Sequence, residues 1–252
     1  MLDLNTITHF VKSRIELKAL IAILTAACGI WAFIALAGEV LEGDTQALDE
    51  DILLLMRSAV DPQEPLGPPW LEVLGRDMTA FGGTGVLIMV TAFAALYLFM
   101  QDKWRTALVV LAAIASGFLM SQLLKWGFSR PRPDLVPHGT HVYTASFPSG
   151  HAMMSAVTYL TLAILTARVE PRIRVRAFLV TCAVIVTFLV GVSRVYLAVH
   201  WPSDVLAGWT IGAAWAIGWW FAARWVEGAA VTKPETSNLA QDRRLPQSKN
   251  SG

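Results

Sequence analysis

Residues 106–124 read TALVVLAAIASGFLMSQLL, nineteen positions without a charged side chain. Lys103 and Arg105 stand just before the run and Lys125 just after it. A helix needs roughly 20 apolar residues to cross a bilayer, with a range of about 17–25. An ionised group at the bilayer centre costs several kcal/mol, so the bare interior of this run is what a span requires. Working outward, comparable stretches lie at 19–37, 81–100, 152–167, 177–196 and 205–223. The run at 152–167 is short for a full crossing, and its helix is predicted to start at the membrane surface.

Composition agrees. Of 252 residues, 55% are hydrophobic and only 15% charged, with a mean hydropathy of +0.51. A soluble domain carries about 25% charge, too much for this chain to match. A net charge of +1 excludes a polyelectrolyte partner such as nucleic acid. Cys28 and Cys182 each sit in an apolar run, too few for a disulfide framework or a zinc site. Ten tryptophans suit anchoring at the membrane interfaces. The predicted fold is all-α: a polytopic bundle of six transmembrane helices, with short amphipathic helices in the first outer loop.

Orientation follows from Lys and Arg in the short connections. Lys12, Arg14 and Lys18 precede the first span, Lys103 and Arg105 join the second and third, and Arg168, Arg172, Arg174 and Arg176 join the fourth and fifth. Arg224 ends the sixth. All fall on one side, predicted to be cytoplasmic together with both termini, in a bacterial inner membrane. Residues 1–18 form the N-terminal segment, 19–223 the membrane domain, and 224–252 a polar tail expected to stay disordered. Ala35-Leu36-Ala37 resembles a signal-peptidase site, but the apolar stretch before it is long for a signal peptide, and a retained helix is expected.

The outer segment 38–80 is acidic and is predicted to hold a helix with Leu48, Ile52, Leu55, Met56 and Ala59 on its apolar face. It is expected to pack over the bundle rather than serve as a lid. Pro62, Pro65, Pro68 and Pro69 end it, and Trp70 begins a second short apolar pattern. The third-to-fourth connection, also outer, breaks the charge rule with Lys125, Arg130 and Arg132. A reason other than topology is needed for them.

Three polar clusters fall at outer helix ends: 125–133, 148–151 and 193–204. The topology brings them to one membrane face. Lys125, Arg132 and Arg194 are fixed cations, and the arginine fork pairs bidentately with phosphate. Ser149 and Gly150 precede an apolar helix, whose N-terminal amides and dipole favour an anion. Gly150 lets backbone approach that anion closely. Asp204 lies four residues after His200, with Pro202 favouring a helix start between them, so Asp204 can reach one ring nitrogen and leave the other free to attack. His151, on a different helix end, is placed for general acid and base work. Singly, each feature has a plainer role: headgroup anchor, helix cap or structural histidine. Together, including cations that defy the charge rule, they point to an outward phosphate site with histidine chemistry. His138 and His141 have no comparable partners and are assigned to the loop.

The segments Lys125 to Arg132-Pro133, Pro148-Ser149-Gly150-His151, and Ser193-Arg194 to His200 and Asp204 resemble the tripartite signature of the type 2 phosphatidic acid phosphatase (PAP2) superfamily. Every fixed position is present at its spacing. The resemblance implies that His200 attacks phosphorus to form a phosphohistidine while Asp204 orients it. It implies that His151 protonates the leaving oxygen and then activates water, and that Lys125, Arg132, Ser149, Gly150 and Arg194 hold the phosphate oxygens. No metal and no cofactor are implied. Arg130 lies outside the signature and is expected to be solvated.

The implied activity is hydrolysis of a membrane lipid phosphomonoester or diphosphate, with undecaprenyl diphosphate, phosphatidylglycerophosphate, phosphatidate and lipid A phosphates as candidates. A lipid phosphotransferase shares the motif. A non-catalytic lipid-binding or transport protein is the remaining class, disfavoured because the motif is complete. Gly208 and Gly212 form a G-x-x-x-G that suits a homodimer face or close packing within the bundle, and packing is expected.

Overall fold

The computed structural model describes residues 4–134 and 145–231. Among them, every regular element is helical, and one antiparallel bridge joins Arg57 to Pro65. Helix α1 (Leu4–Glu42) is followed by α2 (Gln46–Leu54) and α3 (Pro69–Ala80) in the segment expected to be outer. Next come α4 (Thr84–Met100) and α5 (Trp104–Gly127). The fourth span is built from α6 (Gly150–Ser155), a π-helical turn (Ala156–Leu160) and α7 (Thr161–Val169). Two long helices, α8 (Ile173–Tyr196) and α9 (Pro202–Val231), complete the bundle.

Among the described residues, five helical segments are long and apolar enough to cross a membrane: Ala19–Glu42, Trp104–Gly127, Gly150–Ala167, Ile173–Tyr196 and Pro202–Arg224. The expected second span is 17 residues of helix, α4, bent by 50° against α3; counting that pair makes six. Gly82 lies at the break. A Cβ there would lie 2.5 Å from Val190 and 3.1 Å from His151, so only a glycine lets this turn approach the site.

Two boundaries move. Helix α1 begins at Leu4 rather than near residue 19 and runs without a break through Ala35-Leu36-Ala37. It stops where Gly43 takes φ +87° and the Asp44 amide reaches back to the Glu39 carbonyl, a left-handed C-terminal cap. At the other end α9 continues seven residues past Arg224 to Val231, through Trp225, Val226 and Ala229, which prolong the apolar helical pattern. The tail beyond, and the loop holding His138 and His141, lie outside the described residues.

The bundle is small inside and bulky outside. Ala107, Ala113, Ala152, Ala156 and Ala207 are fully buried, whereas Trp31, Ile34, Phe93 and Phe178 are exposed on the spans. Lipid solvates large apolar side chains as well as a core does, so helix association relies on close backbone approach instead. Helix α9 shows this. A Cβ on Gly208 would lie 2.8 Å from the Ser149 carbonyl, and one on Gly212 2.7 Å from the Met153 carbonyl. The G-x-x-x-G thus packs against α6, as expected, and Gly29 of α1 packs on Thr210 and Ala214 of the same helix.

The first outer helix needs a larger correction. It packs over the bundle against α9, but its buried positions are Asp49 and Leu53, continued beyond its end by Arg57. Leu48 and Leu55 are exposed and Ala59 lies past the end of α2. Ile52 and Met56 of the expected face are half-buried, with Met56 packed against Ala152, Val195 and Val205, so only part of the apolar pattern faces outward.

Candidate active site

His200, at the turn between α8 and α9, is almost completely buried. Its Nδ1 lies 3.4 Å from Asp204 Oδ2 and 3.3 Å from Ser146 Oγ. With an acceptor carboxylate on that side, Nδ1 carries the proton and Nε2 presents its lone pair. On the Nε2 side, Arg132 Nη1 stands 3.1 Å away while also donating to the Val199 carbonyl at 2.8 Å. Burial pushes the imidazole down from its ordinary 6.5 to about 3; the bond to Asp204 opposes this and the Arg132 charge adds to it. The ring is therefore neutral at physiological pH, as an attacking imidazole must be. Burial also lowers the Arg132 guanidinium, against the pull of Asp204.

Asp204 is fully buried in the first turn of α9. Oδ2 accepts from Ser146 Oγ at 2.5 Å and from the Trp201 amide at 3.0 Å. The Asp204 carbonyl accepts the Ser149 amide at 2.9 Å, which fastens the segment before α6 to α9. A buried carboxylate needs this many donors to remain ionised.

The other predicted residues gather around this pair. Lys125 ends α5, and a Cβ on Gly150 would lie 3.3 Å from its Nζ, so the missing side chain at 150 is what admits the ammonium. His151 feels the charges of Arg194, Lys125 and Arg132 and lies within electrostatic reach of His200. Ser149 is buried, and its Oγ has no hydrogen-bond partner among the described residues; the same holds for Arg194 Nε. Two buried donors without partners, in a region shared by the charges of Lys125, Arg132 and Arg194, fit an anion. Lys125, Gly150 and His151 also form the polar end of a cavity of about 650 Å³, walled by Leu87, Leu111, Phe118 and Met154. Among the described residues no group of three or more His, Cys, Asp or Glu side chains is placed to hold a metal ion.

Three side chains in contact with this site escaped sequence reading, and a fourth was expected to be solvated. Thr79 of α3 accepts from Arg194 Nη1 at 2.8 Å, and Ser146 binds Asp204 as described. The other two are Arg130 and Asp49. Far from being solvated, Arg130 is nearly buried: Nη1 donates to Asp204 Oδ1 at 2.8 Å and Nη2 to Asp49 Oδ2 at 2.6 Å. Its guanidinium also lies over the Trp201 ring, 5.5 Å from the centroid. The signal available was charge: Arg130 broke the orientation rule as Lys125 and Arg132 did. Nothing in the pattern of α2 marked Asp49 over its acidic neighbours.

Comparison with known proteins identifies the family. The PAP2 superfamily profile matches residues 105–227. Phosphatidylglycerophosphatase B of Bacillus subtilis is 30% identical over 181 residues, covering 71% of this chain and 85% of that protein. An undecaprenyl-diphosphatase of Sulfolobus acidocaldarius is 32% identical over 142 residues, 54% of this chain and 63% of the relative. A lipid A 1-phosphatase of Rhizobium etli is 31% identical over 173 residues, 58% of this chain and 68% of the relative. Among solved structures, a transmembrane PAP2-type phosphatidylglycerolphosphate phosphatase from Bacillus subtilis superposes with a TM-score of 0.69 at 25% identity, covering 83% of this chain and 99% of that one. With signature segments, helical bundle and relatives in agreement, this multi-pass membrane protein belongs to the PAP2 superfamily and is a phosphatase of that type.

Proposed function

We propose that the protein removes phosphate from a phosphomonoester or diphosphate of a membrane lipid, without a metal, through a phosphohistidine on His200. The carrying observation is the polarised imidazole: Nδ1 faces Asp204 and Nε2 faces the cations. In the first step a bond forms between Nε2 and phosphorus as the bond to the leaving oxygen breaks. His151 gives that oxygen its proton. Asp204 stabilises the positive imidazole, while Lys125, Arg132, Arg194, Ser149 and the Gly150 amide balance the phosphoryl oxygens. In the second step His151 takes a proton from water, the hydroxide attacks phosphorus, the P–N bond breaks and phosphate leaves. The apolar cavity beside His151 suits the substrate's hydrocarbon anchor. The site faces outward from a bacterial inner membrane, with both termini cytoplasmic.

The test is phosphate release from proteoliposomes containing phosphatidylglycerophosphate, undecaprenyl diphosphate, phosphatidate or lipid A, with His200→Ala as the blank. Turnover of at least one lipid with chelator present is expected, and full activity of His200→Ala would overturn the mechanism. A His151→Ala protein should accumulate acid-labile, alkali-stable phosphohistidine, detectable by ³¹P NMR.

A further inference from the structure

Arg130 stands between two carboxylates that sit 155 positions apart in sequence, and only one of them touches His200. We propose that Asp49 and Arg130 are positioning residues for His200: Arg130 bridges Asp49 and Asp204, and Asp49 neutralises the guanidinium so that Asp204 keeps its charge for the imidazole. This rests on the reading of His200 as the nucleophile. The bonding divides cleanly between the two Asp204 oxygens. Oδ1 meets Arg130, whereas Oδ2 faces His200, Ser146 and the Trp201 amide. A cation paired with Asp204 alone would draw the carboxylate's charge toward Oδ1 and weaken its stabilisation of the imidazolium that forms during attack. Asp49 prevents this by taking Nη2.

Asp49 is in turn fixed from both sides. Its Oδ1 accepts the Ser203 amide at 2.8 Å and its Oδ2 accepts Ser203 Oγ at 2.5 Å. It therefore caps the N-terminus of α9, the helix carrying Asp204, from another helix. Ser203 Oγ also accepts from Arg130 Nη1 at 2.6 Å, and Thr45 Oγ1 accepts from Nη2 at 3.2 Å. The cluster carries two negative charges and one positive, and the surplus negative charge is the one presented to His200. Surface anchoring would not explain an arginine whose side chain is 9% exposed between acids 3% and 0% exposed.

The experiment compares Asp49→Asn, the double variant Asp49→Asn/Arg130→Gln, and His200→Ala, all purified full length and assayed with whichever lipid the wild type turns over. Asp49→Asn keeps shape but removes the balancing charge; kcat is expected to fall about 10-fold with KM nearly unchanged, the scale of coupling between contacting charged residues. Rapid-quench measurement should place the loss in phosphoenzyme formation. The double variant removes the cation left over, and should recover most of the lost kcat. Equal or greater impairment of the double variant overturns the proposal, because a merely structural tether would be hurt more by two cuts than one. Where Asp49→Asn alone fails to fold, the double variant is read against wild type: kcat within about 3-fold supports the proposal and a loss of about 10-fold or more overturns it. Wild-type kcat in Asp49→Asn also overturns it. An inactive His200→Ala beside a fully active Asp49→Asn defeats this inference alone, whereas an active His200→Ala defeats the underlying reading.

Discussion

Arg194 Nη1 donates to Thr79 Oγ1 at 2.8 Å, so the arginine on α8 that we propose holds phosphate is itself held by α3. Sequence motif and outer segment meet in this bond. Thr79→Val preserves shape and removes the acceptor. An unsatisfied buried donor costs about 1–3 kcal/mol. The expected result is KM raised about 3- to 10-fold with kcat little changed, because the role proposed for Arg194 is to hold oxygens rather than exchange protons. Steady-state kinetics check it; a fall confined to kcat contradicts it.

Gly150→Ala separates activity from stability. Alanine is the better helix former by up to about 1 kcal/mol, so the thermal midpoint should hold or rise. Its Cβ would meet Lys125 Nζ at 3.3 Å and oblige the ammonium to shift by a few tenths of an ångström, enough to spoil a preorganised contact. We expect kcat/KM to drop at least 10-fold, on the order of the loss of one preorganised oxyanion donor. A melting curve and a phosphate-release assay on the same preparation suffice. Unchanged kcat/KM removes Lys125 from the phosphate cradle.

The depressed basicity of His200 predicts a direction for acid stability. Its folded pKa, about 3, lies below the unfolded value of 6.5, so the unfolded chain takes up the proton first. The contribution is complete above pH 6.5 and is lost as pH falls toward 3, by about 1 kcal/mol per pH unit. His200→Gln should therefore show a shallower decline of thermal midpoint between pH 7 and pH 5 than the wild type. In ¹⁵N-histidine spectra the resonance missing from that variant should not titrate between pH 8 and pH 5. A midpoint near 6.5 for that resonance contradicts the burial argument.

Gly208→Ala tests whether the G-x-x-x-G is used inside the bundle. The added Cβ would stand 2.8 Å from the Ser149 carbonyl and 2.9 Å from the Met153 amide, both backbone atoms. Overpacking of this kind costs about 1–3 kcal/mol. The thermal midpoint should fall with no change in oligomeric state by light scattering in detergent. A shift in mass with an unchanged midpoint would assign the motif to an interface between copies.

The spans and the signature positions were readable because each rests on local chemistry: a bare run such as 106–124, or His200 four residues before Asp204. What could not be read depends on which side of a short helix is covered. In and just after α2 the pattern is split: Leu48 and Leu55 are left exposed, Ile52 and Met56 are half-buried, and the face with Asp49 turns inward to meet Arg130. Arg130 itself was visible as an anomaly of charge and unreadable as a contact, because its partners lie at 49 and 204. Thr79 carried no signal, since one threonine in an amphipathic helix has no preferred reading. Breaks in a span, as at Gly82, are equally hidden when the approaching backbone comes from elsewhere in the chain.

The inward placement of alanine and glycine reverses the logic of scanning mutagenesis. Substitution by alanine trims the outward Trp31, Ile34 and Phe93, where lipid closes the gap, and leaves Ala107, Ala152, Ala156 and Ala207 untouched because they already are alanine. Such a scan would report a tolerant protein and miss its framework. Replacing each small residue by leucine would draw the true map of contacts, since every inward position then has to move a neighbouring backbone.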